Sequence, residues 1–136
     1  GAPREHIDAL AIFGEKIGVT FQLADDVIDI ASESKESGKT PGTDLKEGVL
    51  TLVTLQIMRS DRSEDAELKT LLSDPMDDAT VAKVIPQLRS HQALKDAKKY
   101  LHDLADESKQ LLNSLPTGPA RSALENLCQA IVERTA

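Results

Sequence analysis

The 136-residue sequence has little of what sheets, disulfides and membrane spans require. Aromatic residues make up 2% of the chain and tryptophan is absent, so the core must be aliphatic, which favours helices. A single cysteine, Cys128, excludes an internal disulfide and a cluster of thiolate metal ligands. No apolar run approaches the roughly 20 residues of a membrane span, and no basic and then apolar leader opens the chain. We therefore expect an all-α, cytoplasmic protein with no membrane span.

The charge balance is acidic. Asp and Glu number 23 against 16 Lys and Arg, for a net charge of −7. Such a surface repels phosphate backbones, so nucleic acid is not an expected partner. With 40% hydrophobic and 29% charged residues, the chain can bury the core of one domain.

Apolar residues spaced three and four positions apart predict a series of helices. The predicted ranges are residues 5–31, 44–60, 64–72, 78–91, 92–115 and 119–134, with residues 32–43 as a loop rich in Gly, Pro and Ser. Asp44 and Glu47 have the spacing of a capping box, so the second helix is expected to begin at Asp44. Pro86 predicts a kink or two shorter helices within residues 78–91. The last helix is expected to bury Leu124, Leu127, Cys128, Ile131 and Val132.

Two glycines interrupt the apolar stripe of the first predicted helix. Gly14 and Gly18 each weaken a helix by about 1 kcal/mol relative to alanine. Very close packing neighbours would compensate for that loss, and we expect them.

Three carboxylates, Asp25, Asp26 and Asp29, lie late in the first predicted helix, where the helix dipole disfavours anions. Helical spacing places them along one side of a groove. Two like charges about 4 Å apart repel by about 4 kcal/mol at an effective dielectric constant of about 20, and a divalent cation reverses that sign. Oxygen ligands alone, held on a stiff helix, favour Mg²⁺. An ordinary solvated acidic face is the alternative interpretation.

Two further residues favour a site. Gln22 lies three residues before Asp25 on the same helix face, and Lys39 lies in the glycine-containing loop that follows the helix. Carboxylates, an amide and a lysine in one groove indicate a phosphate ester or a diphosphate as ligand.

These residues carry a resemblance to a known family. Residues 18–29 read G-x-x-F-Q-L-x-D-D-x-x-D, and residues 38–52 read G-K-x-x-G-x-D-L-x-E-G-x-x-T-L. Both stretches resemble the second aspartate-rich region of the trans-polyprenyl diphosphate synthases, and residues 115–134 are similar to the C-terminal helices of those enzymes. The resemblance therefore covers nearly the whole chain.

The resemblance implies the C-terminal half, residues 1–136, of an all-α helical bundle of the isoprenoid synthase type, usually a homodimer. The implied reaction is Mg²⁺-dependent addition of isopentenyl diphosphate, head to tail, to an allylic diphosphate. By position, Asp25 would bind Mg²⁺, and Asp26 and Asp29 would hold that metal through waters or basic groups. Gln22 and Lys39 would contact the allylic diphosphate, and Phe21 would face the reaction cavity.

The sequence also departs from the family pattern. Val49 stands where many members have a lysine, and Val53 stands where they have a proline. The first aspartate-rich region of the family is absent, and Asp77-Asp78 does not replace it. The chain alone is therefore not expected to catalyse elongation. A non-catalytic helical subunit that completes a prenyltransferase with a partner chain is the alternative, and a terpene cyclase is a third interpretation that matches residues 38–52 less well.

Overall fold

The computed structural model describes residues 3–31 and 42–135. Within these ranges every regular element is helical and no strand is present, which confirms the all-α prediction. No helix in the same ranges is long and apolar enough to cross a membrane. The elements are α1 (Arg4–Ala31), α2 (Thr43–Glu47), α3 (Leu52–Met58), a 3₁₀ turn (Ser63–Asp65), α4 (Ala66–Leu72), α5 (Asp78–Ser90), α6 (Gln92–Leu111), a second 3₁₀ turn (Leu112–Ser114) and α7 (Pro119–Glu133).

The chain divides into two compact units, Gly1–Ala24 with Lys99–Ala136, and Asp25–Lys98. As predicted, the buried side chains are mainly aliphatic. The first unit buries, among others, Phe13, Ile17, Leu101, Leu112, Cys128 and Ile131, and the second buries Val27, Ile57, Leu68, Val84, Leu88 and Leu94.

The first helix has the predicted extent, but some apolar side chains of its stripe are exposed. Ile7 is 51% exposed and Phe21 is 47% exposed. A Cβ added at Gly14 or Gly18 would meet no atom of the described residues within 4 Å. The prediction of close neighbours at these glycines is therefore wrong for the described part of the chain, because this flank of α1 is open there.

The prediction of one helix over residues 44–60 is wrong. Gly48 ends α2 because its backbone is left-handed, with φ +73°, and its N–H donates to Leu45 O at 3.2 Å. Thr51 is extended and begins α3, and its N–H donates to Thr54 Oγ1 at 2.8 Å. A C-terminal glycine and a threonine cap thus divide the expected helix in two. Val53, where the family pattern has proline, is fully buried in the first turn of α3.

The predicted capping box at Asp44 and Glu47 is also wrong. The N-cap of α2 is Gly42, and it contributes no side-chain hydrogen bond. Asp44 is the second residue of α2, two positions past the N-cap.

The fifth helix is continuous through Pro86, so two shorter helices are not formed. Val84, Ile85 and Leu88 are buried on both sides of the proline in the sequence. Burying each such side chain contributes about 1.5–3 kcal/mol, which together exceeds the cost of about 3 kcal/mol for an interior proline.

The sixth and seventh helices begin at the predicted residues, and they differ from the prediction in the last turn of α6 and in one buried position of α7. The last turn predicted for α6 is the 3₁₀ turn Leu112–Ser114. In α7 Cys128 and Ile131 are buried as expected, but Leu127 is 44% exposed, because it lies beside the buried stripe rather than on it. Arg121 donates from Nη1 to Leu115 O at 3.1 Å and from Nε to Glu125 at 2.8 Å, and so braces the turn before α7.

Candidate functional site

Hydrogen bonds from Arg89, Gly42 and Asp44 hold the C-terminal end of α1. Arg89 Nε donates to Ile30 O at 2.9 Å, and Gly42 N–H donates to Asp29 O at 3.0 Å. Asp44 N–H donates to the Asp29 carboxylate oxygen Oδ2 at 3.3 Å. The first two satisfy carbonyls that a helix end leaves without an intrahelical partner, and the cation of Arg89 interacts favourably with the helix dipole.

The three predicted metal-binding carboxylates have different environments. Asp25 and Asp26 are half-buried, whereas Asp29 is 2% exposed. Spaced four residues apart, Asp25 and Asp29 lie on the same face of α1. The Mg²⁺ ligand role predicted for each of them stays a prediction.

Across residues 3–31 and 42–135, no three His, Cys, Asp or Glu side chains are grouped so that they could hold a metal ion by themselves. A metal held by fewer protein ligands takes the rest of its ligands from water or from a bound ligand. Mg²⁺ commonly binds in this way, through one or two carboxylates, several waters and substrate phosphates. Asp25 and Asp26 therefore fit that ion better than they fit a closed protein cage.

Phe21 and Gln22 lie on α1 in the first unit, and both are exposed. The guanidinium carbon of Arg134 lies 5.1 Å from the centre of the Phe21 ring, within the range of a cation–π interaction. This contact orients the ring that the family resemblance predicts to face the reaction cavity, and that role stays a prediction. The sequence motif gave no signal for the Arg134 contact.

Lys39 lies outside the described residues, so its predicted contact with a diphosphate stays a prediction. Gly42, the first described residue after Lys39, has φ +82°. A Cβ at this position would lie 2.5 Å from Val81 Cγ1, closer than real contacts allow. Only glycine suits this backbone conformation and this close approach to α5.

A second polar cluster is formed by Ser60, Asp65 and His91. His91 Nδ1 accepts Ala93 N–H at 3.0 Å, so its Nε2 carries the proton and donates to Asp65 Oδ1 at 2.8 Å. Ser60 Oγ donates to Asp65 Oδ2 at 2.5 Å. The Ser60 hydroxyl, and after it the His91 ring, lower the pKa of the Asp65 carboxyl below its usual value.

This cluster borders an open cleft of about 520 Å³, but it does not form a nucleophilic triad. The serine hydroxyl donates to the carboxylate rather than to the histidine, so the serine–histidine contact of a triad is not made here. The cluster instead joins the turn before α4 to the break between α5 and α6. Sequence reasoning placed His91 at a helix boundary, where it lies, but missed Asp65, which is 26 residues away.

Comparison with known proteins agrees with the motif. The chain is 42% identical over 135 residues to the nonaprenyl diphosphate synthase of Mycobacterium tuberculosis, covering 98% of the chain and 40% of that protein. It is 30% identical over 134 residues to heptaprenyl diphosphate synthase component 2 of Geobacillus stearothermophilus, covering 98% of the chain and 41% of that protein. The chain thus spans about two fifths of the length of these relatives.

The fold agrees as well. The crystal structure of geranylgeranyl pyrophosphate synthase from Corynebacterium glutamicum, complexed with calcium and isoprenyl diphosphate, superposes with a TM-score of 0.90 at 41% identity. That match covers 99% of this chain and 42% of the other. A family model described as Polyprenyl synthetase matches residues 1–88, which is more than half of the sequence. The chain therefore belongs to the polyprenyl synthetase family.

Proposed function

We propose that the natural gene product containing these residues, here called the parent protein, is a prenyltransferase. It adds isopentenyl diphosphate head to tail to an allylic diphosphate, with Mg²⁺. The observation that carries this proposal is the 42% identity to a nonaprenyl diphosphate synthase across 98% of the chain. The 0.90 superposition on an enzyme crystallised with calcium and isoprenyl diphosphate supports it.

The chemistry of the site is consistent with a diphosphate and a divalent cation. Asp25 and Asp26 are adjacent, half-buried carboxylates on a helix whose end is fixed by Arg89 and Gly42. Mg²⁺, when bound, would neutralise charge that develops on the departing diphosphate. In this proposal the two carboxylates hold the ion, and Gln22 and Lys39 contact the diphosphate.

An allylic cation also requires apolar surroundings that exclude water. Along its length α1 presents exposed apolar side chains that include Ile7, Leu10 and Phe21. Apolar surface of this kind suits a prenyl chain or a packed neighbour better than it suits water. We assign Phe21 to the reaction cavity, with Arg134 holding its ring.

The proposal extends to assembly and location. A homodimer is proposed from the family resemblance, and a cytoplasmic location suits the one buried, unoxidised thiol of Cys128. A second candidate is a subunit that works only with a partner chain. It is favoured by the relatives named heptaprenyl diphosphate synthase component 2, from Geobacillus stearothermophilus and from Bacillus subtilis.

The test measures formation of extractable prenyl product by the parent protein from labelled isopentenyl diphosphate and a short allylic diphosphate. We expect product with Mg²⁺ and none with excess chelator. Asp25→Asn should lower kcat/KM by about 100-fold or more, because it removes a charged metal ligand. Asp8→Asn, which changes an exposed carboxylate on the same helix, is the matched control and should be active. Equal activity of the two variants would refute the metal assignment.

The subunit alternative is tested by purifying the parent protein alone and measuring its mass beside its activity. Activity without any other chain supports a self-sufficient enzyme. Activity that appears only after a second polypeptide is added supports the two-component interpretation.

A further inference from the structure

Asp29 combines burial with two hydrogen-bonded contacts to the start of α2. It is 2% exposed, and its Oδ2 accepts the N–H of Asp44 at 3.3 Å. Its own carbonyl accepts the N–H of Gly42 at 3.0 Å. One residue of α1 thus binds the start of α2 through both its backbone and its side chain.

The start of α2 requires such an acceptor. In a standard N-cap, the side chain of the N-cap residue accepts an N–H from the second or third residue of the helix. In α2 the N-cap residue is Gly42, which has no side chain, and Asp44 is the second residue of the helix. The Asp29 carboxylate therefore supplies from α1 the acceptor that the local sequence lacks.

Gly42 cannot be replaced by a residue that caps itself. With φ +82° and Val81 directly beside it, the position excludes the Ser, Thr, Asn and Asp side chains that cap most helices. A capping oxygen has to come from elsewhere in the fold, and in the described structure it comes from Asp29.

Burial also separates Asp29 from Asp25 and Asp26. A hydrated Mg²⁺ keeps several waters and needs accessible ligand oxygens. Asp25 and Asp26 are half-buried and offer such surface, whereas Asp29 offers almost none.

We propose that Asp29 is a positioning residue whose carboxylate holds the first turn of α2 against the last turn of α1, and that this role needs an acceptor oxygen rather than a metal-binding charge. The part of the test that measures the Mg²⁺ requirement rests on the proposed function. Asn keeps a side-chain oxygen at the same reach, so Asp29→Asn preserves the cap and removes the charge. Asp29→Ala removes both.

The experiment compares Asp29→Asn, Asp29→Ala and Asp25→Asn in the parent protein. The two readouts are the Mg²⁺ concentration for half-maximal activity and the melting temperature without metal. For Asp29→Asn we expect a half-saturating Mg²⁺ concentration within about threefold of the wild type. For Asp25→Asn we expect an increase of about tenfold or more, as is usual when a metal shell is disturbed.

The melting temperature shows whether the hydrogen bond from the Asp44 N–H to residue 29 stabilises the protein. Asp29→Ala should melt about 2 °C or more below Asp29→Asn, and Asp25→Asn should melt near the wild type. The proposal is overturned if Asp29→Asn raises the Mg²⁺ requirement as much as Asp25→Asn does, or if the Asn and Ala variants at residue 29 melt together.

Failure of the proposed function gives a different result. In that case Asp25→Asn leaves the Mg²⁺ dependence unchanged, while the difference in melting temperature between Asp29→Asn and Asp29→Ala still decides the capping role.

Discussion

Replacing Gly42 with alanine should destabilise the protein more than any other glycine substitution in the described chain. The left-handed backbone costs a residue with a Cβ about 1–2 kcal/mol, and forcing a methyl group into a filled site costs about 1–3 kcal/mol. Both costs apply at Gly42, where φ is +82° and Val81 Cγ1 lies 2.5 Å from the Cβ position. Gly42→Ala should therefore lower the free energy of unfolding by about 2–5 kcal/mol.

A double-mutant cycle separates the two costs. Val81 is buried, and Val81→Ala alone should cost about 1–2 kcal/mol for the two carbon groups it removes. In the double variant the clash is absent and only the backbone cost remains. The two substitutions should therefore be less than additive by about 1–3 kcal/mol, as measured by urea unfolding of the 136-residue chain.

Gly14→Ala is the matched control, because it is a glycine-to-alanine change with no atom of the described residues near the new Cβ. In that chain it should raise the free energy of unfolding by about 0.5–1 kcal/mol, since alanine favours a helix interior. If Gly42→Ala proves as harmless as Gly14→Ala, or if the cycle with Val81→Ala shows strict additivity, the geometry described for Gly42 is incorrect.

Two further changes test the helix breaks. The lowered pKa of Asp65 stabilises the fold above the ordinary value of 3.8, and that stability is lost as the pH falls toward the folded-state pKa. Ser60→Ala removes the largest cause of the shift, so the free energy of unfolding should depend less on pH between about pH 5 and pH 3, and an unchanged slope would contradict this. Thr54→Val leaves the buried N–H of Thr51 without its acceptor and should cost about 1–2 kcal/mol by urea unfolding, whereas Thr54→Ser, which keeps the oxygen, should cost less.

The long helices could be predicted from the sequence because their burial follows one period over many turns. The breaks could not be predicted in the same way. Gly48 and Thr51 end one helix and begin the next through backbone conformation and a side-chain cap, and neither disturbs the apolar spacing from Leu45 to Ile57. An apolar period indicates which residues face inward, but it does not indicate whether the backbone between them stays helical.

The candidate site was predictable to a similar degree. Its residues could be found because three aspartates late in an apolar helix conflict with local preference. The burial and hydrogen bonding of each aspartate could not be predicted from the sequence. Two partners of Asp29, Gly42 and Asp44, lie beyond the loop that follows the helix. His91 and Asp65 show the same limit, since no spacing rule joins residues 26 positions apart.

The structure also changes the electrostatic argument that first indicated a cation. From the sequence, three carboxylates repelled one another at the unfavourable end of a helix dipole. In the structure, the N–H of Asp44 meets the carboxylate of Asp29, and Arg89 sits at the last carbonyls of α1, so part of that unfavourable charge is offset by groups of the protein itself. We therefore propose the cation at Asp25 and Asp26, which are partly exposed, rather than at the buried Asp29. Mg²⁺ commonly binds two partly accessible carboxylates when water and a diphosphate supply its remaining ligands. If Asp29 supports the start of α2, as proposed, Asp25 and Asp26 are left to hold an ion whose coordination water and substrate complete.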